Sequence, residues 1–146
     1  MHRRCFIRMS VGLVIGGLGV AQSNRAAAAD AIRMRDLYNK DLSFSDLALE
    51  NLGNRIQVDG FMAPPLKAES SFFVLTKQPM AVCPFCEPTT PWPDDLLAIY
   101  AKRVVDVVPF NIPIRVEGVL ELGPYTDPET GFHSKVRLTD AGFQRV

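Results

Sequence analysis

Cys83-Pro84-Phe85-Cys86 is the stretch of this chain whose residue types and spacing most directly permit chemistry. Two thiols so placed serve three purposes. In an oxidising compartment they close a disulfide. The loop so closed is tiny and Pro84 already stiffens it, so the entropic gain is small. As thiolates they chelate one soft ion, zinc or copper(I). A closed zinc site takes four ligands, and the candidates to complete it are His133, Glu87, Asp94, Asp95 and Met80. As a thiol–disulfide centre, the first cysteine belongs at a helix N-terminus, whose dipole lowers its pKa. Pro88, Pro91 and Pro93 occupy the place where that helix would run. That excludes the thioredoxin arrangement, though not every redox role.

Other catalytic patterns are missing from the sequence. No Gly-x-Ser-x-Gly elbow or glycine-rich phosphate loop occurs, and His133 is the only histidine after His2. Serine nucleophilic catalysis would therefore depend on that one base. Asp94 and Asp95 are adjacent, so an extended backbone turns them to opposite sides. No spacing selects a pair from the 16 acids for glycoside cleavage. Phe85, Trp92 and Tyr100 surround the cysteine stretch, where they either form an apolar docking surface or cover a core.

The N-terminus sets the compartment. Residues 1–29 hold Arg3, Arg4, Arg8 and Arg25 and no acid, with a glycine-containing apolar run over Met9–Ala21 and small residues at Ala26–Ala29. These are the parts of an export signal, with cleavage expected near Ala29. The run covers about 20 Å as a helix, short of the ~30 Å hydrocarbon core, so no stable span remains after cleavage. Arg3-Arg4-Cys5-Phe6-Ile7 resembles the twin-arginine export motif, with His2 and Arg8 departing from the usual pattern; an ordinary secretory signal is the other reading. Twin-arginine export would carry a domain folded in the reducing cytoplasm and keep its thiols open to a metal. Cys5 leaves with the leader. The whole chain balances 16 basic against 16 acidic residues, so losing the leader leaves an acidic remainder. Such a surface does not attract phosphate backbones, and nucleic acid is not an expected partner.

The rest of the chain must position these groups. All 11 prolines lie beyond the leader, pointing to short strands joined by stiff loops. An N-terminal segment spans 30–52; its first part, Asp30–Lys40, is polar and mixed in charge, with little beyond Met34, Leu37 and Tyr38 to anchor it. It ends in a short helix with Ser43 as the cap, Leu47, Leu49 and Leu52 as the apolar side, and Gly53 as the stop. From Arg55 the period becomes two, with Ile56, Val58 and Gly60 alternating against polar neighbours, and Pro64-Pro65 stops this strand. Ser71–Thr76 is a buried strand. Leu96–Val108 fits helix or strand at its start, while Val104–Val108 favours extended backbone. Ile114, Val116, Gly118, Leu120 and Leu122 make the clearest alternation. Asp127–Gly131 is a turn, Pro128 fixing φ and Gly131 accepting φ > 0, and Phe132–Leu138 returns as a hairpin partner.

Val58-Asp59-Gly60-Phe61 and Val116-Glu117-Gly118-Val119 repeat one pattern, and glycine within a strand marks a bulge or a close backbone approach. Two such strands suit a small, strongly curved five-stranded barrel of the OB type over 53–146. The stretch from Gly53 through Ile56, Val58, Gly60, Phe61, Met62 and Pro64, the Phe72–Leu75 strand, the cysteine-bearing loop and Val116-x-Gly118-x-Leu120 is similar to an uncharacterised family of bacterial periplasmic proteins. The resemblance implies an OB-like barrel and an accessory role beside an envelope ABC-type transporter. The expectation is thus a mainly β, non-enzymatic periplasmic protein binding zinc or copper through Cys83, Cys86 and His133. A periplasmic thiol–disulfide oxidoreductase and a protein-interaction module stapled by a Cys83–Cys86 disulfide are the alternatives.

Overall fold

The computed structural model describes residues 30–82 and 93–146. The expected export signal over 1–29 and the pair Cys83 and Cys86 lie outside the described residues.

The chain is mainly β. Its strands are β1 (Arg55–Met62), β2 (Phe72–Thr76), β3 (Leu96–Ala101), β4 (Pro113–Thr126) and β5 (His133–Arg145), preceded by a 3-10 turn at Met34–Leu37 and a helix, α1, at Asp46–Glu50. Their spatial order is β1-β2-β3-β5-β4, and β4 pairs back onto β1, so the hydrogen bonds form a ring. All pairings are antiparallel except β3 with β5.

Alternation explains β1 and β4. Ile56, Val58 and Met62 of β1 face inward beside Ile114, Val116 and Leu120 of β4, while Arg55, Asp59, Arg115 and Glu117 line the wet side. β5 runs to Arg145, well past the expected end at Leu138, because it pairs with β4 as far back as Ile114. β2 and β3 are different. Phe73, Leu75, Leu97 and Ile99 belong to the main core, and Phe72, Val74, Leu96 and Ala98 form a second cluster with Ala63 and Phe132. Burial on both faces makes Leu96–Ala101 an uninterrupted apolar run, which periodicity alone cannot assign.

The N-terminal segment fills a gap in the ring. β1 pairs with β2 only at Phe61 and Met62. Further back along β1, Ile32 bridges Val58 in parallel and its N–H donates to the Gln57 carbonyl at 2.7 Å. Met34, Leu37 and Tyr38 then lie buried in the core, as the expected anchors of that segment.

Two expectations need correction. The cap of α1 is Ser45, not Ser43: the Ser45 hydroxyl accepts from the Ala48 N–H at 3.1 Å and donates to the Asp36 carbonyl at 2.6 Å. Ser43 instead donates to Asp41 in the preceding turn. The helix has only 5 residues and presents Ala48 to the core, leaving Leu47, Leu49 and Leu52 exposed. Val104–Val108, where extended backbone was expected, is neither helix nor part of a named strand. Val104 and Val107 are exposed, while Val108 is buried with its N–H on the Met62 sulfur at 3.4 Å.

The two echoed glycines lie on paired strands, Gly118 opposite Ile56 and Gly60 opposite Ile114. A Cβ on Gly60 would stand 2.6 Å from the Thr76 carbonyl oxygen and 2.9 Å from the Leu75 side chain. One on Gly118 would stand 3.0 Å from Ala141, Leu138 and the Thr139 carbonyl, where the β4–β5 register shifts. The Gly60 contact is with backbone, which cannot swing aside. Gly60→Ala should therefore cost about 1–3 kcal/mol of stability through overpacking. Gly142→Ala, whose methyl meets nothing within 4 Å, should stay within about 0.5 kcal/mol of the parent. Urea midpoints of the two variants measure the contrast; equal shifts would contradict the close approach at Gly60.

Candidate functional site

The outer side of β3, β5 and β4 carries a well-organised polar cluster. Strand alternation places it. With Leu97 and Ile99 inward, Tyr100 points out of the ring; with Val136 and Leu138 inward, Arg137 and Thr139 point out; and Glu121 lies between inward Leu120 and Leu122. Glu121 and Arg137 are direct cross-strand partners.

Arg137 is fixed from three directions. Its Nε donates to Glu121 Oε2 at 2.9 Å and its Nη1 to the Gly123 carbonyl at 2.9 Å. Its guanidinium carbon lies 4.7 Å from the Tyr125 ring centroid, a cation–π contact. The side chain is 13% exposed, so this ion pair is shielded better than an ordinary surface pair. Thr139 Oγ1 donates to the other Glu121 oxygen at 3.2 Å.

An aromatic wall borders these groups. Tyr100 meets Tyr125 edge-on at 5.8 Å and Phe72 at 5.0 Å, and Phe72 meets Phe132 at 5.3 Å. The β4–β5 turn that supplies Phe132 is held by Asp127, whose carboxylate accepts from the Glu129 N–H at 2.9 Å and from the Thr130 hydroxyl at 3.0 Å. Gly131 takes φ +72°, as the turn chemistry requires. The Tyr100 hydroxyl is shut off from water and has no hydrogen-bond partner among the described residues. Burial, reinforced by the Asp127 charge, pushes the Tyr100 phenol well above the ordinary tyrosine range. Between the wall and the ion pair lies a cavity of about 260 Å³, lined by Tyr100, Glu121, Tyr125, Arg137 and Thr139.

The residues singled out from sequence lie elsewhere. His133 opens β5, exposed, with its Nδ1 3.1 Å from the Thr126 hydroxyl. Its neighbour Phe132 touches Phe72 at the start of β2. The cysteine-bearing connection leaves from the opposite end of β2, roughly 13 Å along the strand. Cys83, Cys86, Phe85, Glu87 and Trp92 lie outside the described residues. At the base of that connection, Thr76 pairs with Leu96 and the Lys77 N–H donates to the Asp95 carbonyl at 3.0 Å. Asp94 is exposed, and one carboxylate oxygen of Asp95 is buried without a partner among the described residues. No group of three or more His, Cys, Asp or Glu suited to a metal occurs among the described residues.

Neither a family model nor a curated protein matches this sequence. Its fold is similar to that of a DUF3299 family protein. That solved structure, from Pseudomonas aeruginosa PAO1, superposes with a TM-score of 0.51 at 14% identity, over 80% of this chain and 95% of the other. At that identity the likeness concerns the fold alone. It agrees with the sequence resemblance to an uncharacterised bacterial family.

Sequence reasoning named Tyr100 but missed Tyr125, Glu121, Arg137 and Thr139. The signal was available in the hairpin: once the Asp127–Gly131 turn sets the register, opposite charges face one another at 121 and 137.

Because the Tyr100 hydroxyl has no bond to lose, Tyr100→Phe should change stability at neutral pH by less than about 1 kcal/mol. The alkaline branch should differ. The folded phenol titrates above its ordinary value of 10.0. Its contribution is therefore present below that pH and is lost as the pH rises past it toward the folded pKa. Tyr100→Phe should flatten this loss, as read by urea unfolding followed across the alkaline range.

Proposed function

We propose that this protein is a non-enzymatic periplasmic binding module: an exported OB-like barrel, accessory to an envelope ABC-type transporter, that carries a soft metal ion on its Cys83–Cys86 loop. The ring order, with its parallel β3–β5 pairing and long β4–β5 hairpin, supports the OB-like reading, and small barrels of that class bind ligands on their strands and loops.

The observation that carries the proposal is the stitched base of the cysteine-bearing connection. It leaves and re-enters the sheet between adjacent buried strands, closed by the Thr76–Leu96 pairing and the Lys77–Asp95 hydrogen bond. A connection clamped at both ends presents its chemistry from a fixed foundation, which suits binding. Zinc or copper(I) would take Cys83 and Cys86 as thiolates. His133, beside the other end of β2 from the base of the connection, would join through Nε2 only where the loop reaches back to it, the Thr126 hydroxyl engaging Nδ1 and orienting the ring.

The protein purified from periplasm, with residues 1–29 removed, should contain stoichiometric zinc or copper and two titratable thiols. Cys83→Ser and Cys86→Ser should each abolish retention of the metal, and His133→Ala should weaken it. Oxidised cysteines with no metal would overturn the metal reading and leave an interaction module stapled by a disulfide. Insulin-reducing activity that disappears in Cys83→Ser would instead make the protein a thiol–disulfide oxidoreductase.

A further inference from the structure

We propose that the cavity between Tyr100, Tyr125 and the Glu121–Arg137 pair binds a single neutral sugar ring, making the outer side of β3, β5 and β4 a glycan-binding site. This site is independent of the cysteine loop.

Size gives the first argument. The cavity of about 260 Å³ falls just below the ~300–1,000 Å³ that accommodates drug-sized ligands, so it suits one ring and not an extended molecule. Shape and polarity give the second. A pyranose offers C–H groups on its flat side and hydroxyls around its rim. Tyr125, 39% exposed, supplies an aromatic surface for the flat side. Glu121, Thr139 and Arg137 stand beside it as acceptors and donors for the rim. Glu121 spends one oxygen on Arg137 and the other on Thr139. An ionised carboxylate has about four lone-pair positions, so it can still accept from a vicinal diol.

Charge decides the ligand class. Arg137 is compensated by Glu121 at 2.9 Å. An anion would have to compete with Glu121 for the guanidinium, and a cation with Arg137 for the carboxylate. A neutral polyol bonds to both without separating them. A nucleotide also offers a neutral, flat base, but its phosphates find no attraction in a chain whose formal net charge is +0.

The Tyr100 hydroxyl supplies an independent observation. It is buried and unpartnered among the described residues, and such a group carries a cost that a new hydrogen bond relieves. Its oxygen is closed to water in this structure, so it reaches a sugar hydroxyl only with a shift of the Tyr100 ring toward the cavity, and no existing hydrogen bond of the hydroxyl opposes that shift. Held in its protonated form by burial, it acts as a donor.

Cellobiose, maltose and chitobiose titrated separately into the full protein, with NMR detection of Tyr100, Tyr125 and the Arg137 Nε–H, test the proposal. At least one should give saturable shifts at all three groups with a Kd of about 1–10 mM. Tyr125→Ala should weaken that binding roughly tenfold or more and Tyr100→Phe roughly threefold, with amide spectra otherwise unchanged. The absence of saturable shifts for all three sugars up to roughly 50 mM would overturn the proposal. So would binding that survives Tyr125→Ala, or thymidine monophosphate displacing the sugars at lower concentration. Loss of metal from the cysteine variants leaves this outcome unaffected, so the two readings fail separately.

Discussion

Closing five strands into a ring requires β1 to pass from β4 to β2 within 8 residues, and Gly60 adjoins Phe61, which pairs with both. Its missing side chain lets β1 lie against the Thr76 carbonyl and Leu75, and Gly118 does the same for β4 against Leu138 and Ala141. A side chain at either place would hold the strands apart and leave unpaired edges, which invite association with other chains. The interior then follows from alternation: residues two apart fall on one side, and Val58, Ile114, Val116 and Leu120 meet Phe73, Leu97 and Leu138 there.

The same closure organises the outside. Once β2 and β3 are walled in from within, their other face still holds Phe72, Val74, Leu96 and Ala98, too apolar to leave wet. Phe132 at the β4–β5 turn covers part of that face, and Tyr100 carries the aromatic surface on toward Tyr125 and Arg137. The polar cluster is thus a by-product of how the hairpin tip is pinned, with Asp127 holding the turn in shape. Each of its side chains is fixed by strand pairing and by neighbours, and that fixity is what a small binding site requires.

What the sequence disclosed depended on whether a residue's role was local. The alternation in Ile114–Leu122 and the Asp127–Gly131 turn were legible, because pleat and turn chemistry act over a few residues. The Val–acid–Gly echo was legible as a bulge or a close approach, and the structure shows tight contacts at both glycines, with a register shift beside Gly118. Leu96–Ala101 was ambiguous because burial on both faces erases the period. Val104–Val108, expected only to be extended, runs outside the named strands with no helix. The helix cap moved to Ser45 because its hydroxyl also reaches Asp36, a contact between neighbouring turns that no pattern of types reveals. Glu121 and Arg137 were not singled out because their importance comes from what the fold sets beside them.

The link from β2 to β3 has a topological property of its own. On one side of residues 83–92 lie β1 and β2, on the other β3, β4 and β5, and these halves are sewn together along two seams, β1 to β4 and β2 to β3. A protease nick in that segment would sever the polypeptide without freeing either piece, so the halves should behave as complementing fragments that find each other again when mixed. Chain continuity there is spare, mechanically speaking.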